Sequence, residues 1–514
     1  MHRPLRVFSM LLMFLPAIAL AETIPPVSAS AAARFLEQAS WGPTASAVSD
    51  VRKLGLDNYL EAQFAEPEST IADVPVDPKN QNLRAVQQSF FLNSLGGKDQ
   101  LRQRVAFALS EIWVVSGVKI PQPQAIVPYL RLFQKDAFGS YLTLMTDLTL
   151  NPAMGHYLDM VNNDKPDLKA GKTANENYAR ELMQLFTLGT VLLKPDGTPQ
   201  IDPATHLGKP VYTQDDVQNL GRAFTGWTYP TAPGAAPHPH NPPYWDGPMT
   251  AVESLHDVGS KTLLGKTFNG LKAELDLQDA LQEIFQHPNM GPFVCKQLIE
   301  HLITSNPSPA YVTRVAGVFD RDAKGARGDL KSVVKAILLD PEARQGDAAS
   351  TPNDGHLREP VLFITGLLRA FDGTVTAANT LADRAKPMGQ ELYYSPSVFS
   401  YFSPGYHISG TSLAGPEFQI YSPATAMIRA DFVNSLVYGN LGSGTTADFS
   451  PYVKLAANPD GLLDTLDSAL LHGKMPAQMR TEIKTAMAST TDAKSKAQTA
   501  IYLGATSPEY QVEH

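Results

Sequence analysis

Apolar residues recur along this chain at helical spacing. Over 101–115, Val105, Leu109, Ile112 and Val115 fall near one stripe, with Arg102 and Arg104 beside it. That recurrence marks a helix with one buried face. The same pattern predicts helices over 31–38, 56–64, 140–148, 275–286, 292–304, 309–319, 330–339, 359–371 and 417–436, and two or three more between Pro459 and Leu503. Thr44 caps a helix that Gly55 closes, and Pro128 suits the first turn of one running to Phe138. Alternating runs rich in β-branched residues are scarce, and only 191–193 and 210–212 suit a small ribbon. The expectation is an all-α, large multi-helix fold with at most a minor β-hairpin. A polar link at 345–355 suggests two packed helical lobes, 22–344 and 356–514, within one continuous domain over 31–511. The stretch 228–249 carries seven prolines and is expected to stay a loop.

The first 21 residues read as an export signal. His2, Arg3 and Arg6 make a basic start, residues 7–20 are mostly apolar, and Ala19-Leu20-Ala21 is a small-x-small cleavage site. No twin-arginine pair precedes the apolar run, so general secretory export with cleavage after Ala21 is expected, to the periplasm or beyond. No later segment offers the roughly 18 apolar residues of a spanning helix. The chain holds 42 Lys plus Arg; losing Arg3 and Arg6 with the signal leaves 40 against 51 Asp plus Glu, a net of −11. Such an acidic balance argues against nucleic acid as partner. The single cysteine, Cys295, makes no intrachain disulfide and reads as a buried apolar side chain.

Candidate chemistry gathers at two helix mouths. Asn175-Glu176-Asn177-Tyr178-Ala179-Arg180-Glu181 opens a helix predicted to end at Gly189, with Glu176 and Arg180 one turn apart, as are Asn177 and Glu181. A second helix, predicted over 213–227, starts with Thr213 as cap and Asp216 reaching back, and closes on Gly226-Trp227. His256-Asp257 forms a compact polar turn, and Arg358-Glu359-Pro360 begins a further helix, where Arg358 can clasp a carboxylate from elsewhere. Two readings stand side by side. In one, these are well-capped helices with structural ion pairs. In the other, Glu176, Arg180, Glu181, Asp216, His256 and Asp257 converge as catalytic acids and bases, with Asn175, Asn177, Trp227 and Arg358 touching substrate. Aromatic residues between Tyr393 and Tyr406 suit either a sugar-binding loop or packing between lobes. There is no metal-ligand spacing, P-loop, dinucleotide fingerprint, nucleophile elbow or haem motif, so no metal and no cofactor is expected.

The runs NENYARELMQLFTLG (175–189), YTQDDVQNLGRAFTGW (212–227), HDVGSKTLLG (256–265), REP (358–360), SPSVFSYFSPGY (395–406), GPEFQIYSP (415–423) and SPEYQ (507–511) occur in this order. Together they resemble the bacterial family known as domain of unknown function 1800. The resemblance implies an exported, helical protein and assigns no catalytic residue. It also implies a possible partner. Genes of that family often lie beside genes of another exported family, domain of unknown function 1501, which is similar to alkaline phosphatases and sulfatases.

Two functions follow as expectations. The first is a carboxylate-dependent hydrolase acting on a glycan or another polymer of the cell envelope. The alternative is a non-catalytic binding or assembly partner of the phosphatase-like exported protein, which an exposed apolar patch around Tyr401 and Phe402 would favour.

Overall fold

The computed structural model describes residues 27–513 except 80, 168, 271, 348–353, 440 and 443. The expected export signal, with its cleavage site after Ala21, lies outside the described residues. The architecture is all-α. Among the described residues the named strands form only two-stranded antiparallel pairs. The expected ribbon forms as an antiparallel bridge, Val191 to Pro210, flanked by hydrogen bonds from the Leu192 and Val211 amides to the Lys209 and Thr190 carbonyls. No described helix is long and apolar enough to cross a membrane.

Local chemistry sets most boundaries. Thr44 accepts a hydrogen bond from the backbone N–H of Ala47, and Gly55 ends that helix at φ +79°. Thr213 and Asp216 form a complete capping box on the helix Gln214–Ala223, a device worth about 1 kcal/mol. Several expectations shift: the helix expected over 213–227 ends at Ala223, and Trp227 lies in a short strand instead. The helix expected from Pro128 begins a turn and a half earlier, as Pro123–Asp136, because Pro123 takes the first-turn position. The helix expected over 417–436 is two elements: a 3₁₀ turn, Pro416–Ile420, then the helix Pro423–Tyr438. Ser422 caps the second, and Pro423 disfavours helical geometry in the residue before it. The helix opening at Asn175 is α-helical only over Asn177–Glu181 and widens to π geometry over Leu182–Thr187.

Two hydrophobic cores organise the chain. The first gathers buried residues from Ala32 to Ala343. The second gathers Val361 to Tyr510, together with Trp41, Phe91 and Phe107 from the N-terminal half. The change of core therefore falls across the polar link. The helix Gln100–Ile112 serves both, giving Leu101, Val105 and Leu109 to the first and Phe107 to the second. The C-terminal strand Val512–Glu513 pairs with His356–Leu357, tying the chain end back to the link. The proline-rich 228–249 stretch contains no regular element beyond Thr228. It is closed by the pair Trp227–Thr228 with Thr250–Ala251, and the Asn241 side chain donates to the Tyr229 carbonyl at 2.7 Å.

Candidate active site

The residues at the two helix mouths find partners close at hand. Glu176 accepts from Arg180 at 3.0 Å and from Gln214 at 2.7 Å, which joins the two helices. Gly221 permits their close approach, since a Cβ there would meet the Asn175 carbonyl at 3.0 Å. Asn175 accepts from the Asn177 backbone, and the Asn177 amide donates to Asp159. Asp216 accepts from Thr213 and from the backbone of Leu264. Asp257 holds Arg222 with two hydrogen bonds, at 2.7 and 3.1 Å. Burial would raise the Asp257 pKa, but Arg222 and the Gly259 amide outweigh it and leave it lowered. His256 is buried, with Nε2 3.2 Å from Asp276, which also receives Lys261 at 2.6 Å. Glu181 is the exception: its Oε2 is buried without a partner, and burial raises its pKa against the pull of Arg180. Trp227 is packed in the first core. Arg358 clasps Glu37 and donates to the Tyr510 carbonyl at 2.8 Å. Apart from Glu181, the charged groups of these motifs are thus held in a clasp of ion pairs and hydrogen bonds.

A cavity of about 570 Å³ lies elsewhere, and none of those ten residues lines it. Its wall carries Glu111, Glu300, His301 and Glu417, with Lys296, Gln184 and Gln297 and the rings of Phe293, Phe399 and Phe402. This size suits a small-molecule or polymer-segment site. Phe399 is exposed and Phe402 is buried, so the aromatic segment supplies part of this wall.

Glu111 stands near the end of the helix Gln100–Ile112, and His301 near the end of the helix Met290–Leu302. Glu111 Oε2 is 3.6 Å from His301 Nδ1. Glu359, just before the helix Pro360–Ala370, completes a set whose ligand-type atoms lie within 4.8 Å of one another. These three side chains are the group among the described residues that offers a metal-binding arrangement. Gln390 Nε2 donates to Glu111 at 3.4 Å and also to Glu359, while Gln390 Oε1 accepts from the Val361 backbone. Arg104, on the same helix as Glu111 and fully buried, donates to the His301 carbonyl at 2.6 Å.

Burial dominates the electrostatics. It pushes the Glu111 carboxyl well up, helped by the neighbouring Glu359 charge, and raises Glu359 against the pull of Arg104. Burial also lifts Glu300 to about 7, with Lys296 opposing. It holds His301 down at about 3, reinforced by Arg104 and His356. Two carboxylates this close do not both ionise freely. Beyond Glu417 the network continues. Burial lowers the His356 pKa, but Glu417 at 3.4 Å and Glu513 at 3.8 Å outweigh it and push it to about 10. Burial likewise raises Glu37, yet Arg358 and His472 bring it to about 2.

The sequence profile of one protein family matches residues 34–512, nearly the whole chain. That family is described as "Protein of unknown function (DUF1800)". The chain belongs to the DUF1800 family. No curated protein and no solved structure matches it.

In this DUF1800 chain the cavity residues were not singled out by sequence reasoning, apart from the aromatic segment. Glu111 sits between Ser110 and Ile112 in an apolar helix, and His301 between Glu300 and Leu302 in another. The available signal was an ionisable residue on the inward side of a hydrophobic stripe, where an unpaired charge costs several kcal/mol. Arg104, Ala108 and Glu111 follow i, i+4, i+7 spacing and share that face.

Proposed function

We propose that this protein is an exported hydrolase that cleaves a glycan or another envelope polymer in the 570 Å³ cavity. Glu111 and His301 hold a water at its floor, the neutral His301 imidazole accepts a proton from that water, and Glu300, on the adjoining wall, delivers a proton to the leaving group. Glu359 and Gln390 position Glu111 from behind. One observation carries the reading: a buried carboxylate oxygen without a hydrogen-bond donor, Glu111 Oε2, stands on the wall of a ligand-sized cavity beside an imidazole. Such a group is costly in a scaffold and useful in a site. The rings of Phe293, Phe399 and Phe402 and the amides of Gln184 and Gln297 suit a sugar's apolar faces and hydroxyls. Tyr401 and Phe402, where an exposed apolar patch would favour a binding role, are buried.

The test is release of soluble fragments from purified envelope polymers by the mature protein and by Glu111→Gln. The parent should release fragments, and the folded variant should lose about 100-fold or more. Equal release by both would overturn the reading.

A further inference from the structure

Glu111, His301 and Glu359 come from three separate segments, yet one ligand-type atom from each lies within 4.8 Å of the others. A tetrahedral ion with nitrogen and oxygen ligands at about 2.0–2.2 Å sets its ligand atoms roughly 3.4 Å apart. Glu111 Oε2 and His301 Nδ1, at 3.6 Å, already meet that spacing. An independent observation points to a ligand here: Glu111 is 7% exposed, and its Oε2, the oxygen facing His301, has no hydrogen-bond partner. We propose that Glu111, His301 and Glu359 bind a divalent transition-metal cation of the zinc or manganese kind, with an open position facing the cavity.

Two carboxylates and one imidazole are a donor set that such ions accept. Glu111 and His301 line the cavity and Glu359 does not, so the open coordination position lies on the cavity side. Charge allows the ion despite Arg104. Two carboxylates, one guanidinium and a divalent ion sum to +1, which a bound hydroxide brings to neutrality. Gln390, donating to both carboxylates, orients them in the manner of the outer partners that hold metal ligands in place. The proposal rests on the reading of this cavity as hydrolytic, since an ion there polarises the water which that reading requires.

The mature protein, stripped with chelator and dialysed, is loaded with ZnCl₂ and separately with MnCl₂, desalted, and assayed for metal by elemental analysis. About one equivalent of at least one ion is expected to remain. His301→Gln and Glu359→Gln should each weaken binding by about tenfold or more, while Glu61→Gln, in a surface pair with Lys331 and Lys335, should bind as the parent does. Removing a buried carboxylate can unfold the chain, so His301→Gln decides, provided its circular dichroism matches the parent. No retained ion, or unchanged binding by folded His301→Gln, overturns the site. Polymer cleavage that survives in metal-stripped protein overturns the ion's part in cleavage and leaves the hydrolase reading intact. A bound ion in protein that cleaves no polymer supports the site and counts against the hydrolase.

Discussion

Glu111 and Glu359 share one donor: Nε2 of Gln390 serves both carboxyls, at 3.4 Å to Glu111 and closer to Glu359. A single amide therefore holds together two acidic groups from helices on either side of the change of core. It is fixed in turn by the Val361 N–H at 3.0 Å.

Replacing Gln390 with Met keeps the volume and removes both donations. The two carboxyls then repel without mediation and the Val361 amide loses its acceptor. Urea denaturation should show a loss of about 2–3 kcal/mol. A midpoint equal to the parent's would mean that the amide does not hold the pair.

The Arg358–Glu37 pair is fully inside the protein. Arg358→Met leaves Glu37 with only His472 for a partner and should cost about 3–5 kcal/mol. Pairing it with Glu37→Leu should recover a large part, because the Glu37 carboxylate is then no longer buried without its guanidinium, while Glu513, 3.7 Å from Arg358, keeps His356. Equilibrium unfolding of the two single variants and the double variant measures this, and a double variant no more stable than Arg358→Met would contradict it.

His356 carries a pH signature. Its pKa is raised from 6.5 to about 10 by Glu417 and Glu513 acting against burial. The unfolded imidazole keeps its ordinary value, so the stabilisation is complete below about pH 6.5 and is lost as pH rises through about 10. The difference in urea midpoint between parent and His356→Gln should therefore shrink steadily from pH 6.5 to 10. A gap that widens over that range would reverse the assignment.

Much of the architecture was legible because local rules set it. Thr44, Gly55 and the Thr213–Asp216 box announce helix ends through backbone groups a few residues away. The 417–436 segment shows the limit: its apolar spacing continues across Ser422-Pro423, but the cap and the proline ring break the helix there. The site was harder to see for a related reason. Glu176, Arg180 and Asp216 attract notice by clustering in sequence, and clustering is what lets them satisfy one another locally. Glu111, His301 and Glu359 stand far apart in the chain, and only tertiary packing brings them together. Glu359 and Arg358 were visible as a helix-opening pair, but their partners, Gln390 and Glu37, were not.

The clasp and the cavity make opposite predictions about Glu176. Its carboxylate is partly exposed and bound to Arg180 and Gln214. Glu176→Gln should cost about 0.5 kcal/mol and leave turnover within about threefold of the parent.

The most direct measurement is therefore turnover of an envelope polymer by Glu111→Gln and Glu176→Gln side by side, with folding verified for both. The account predicts that Glu111→Gln falls by about 100-fold or more while Glu176→Gln stays near the parent. Loss in Glu176→Gln with activity retained in Glu111→Gln would contradict it and return the chemistry to the helix mouths.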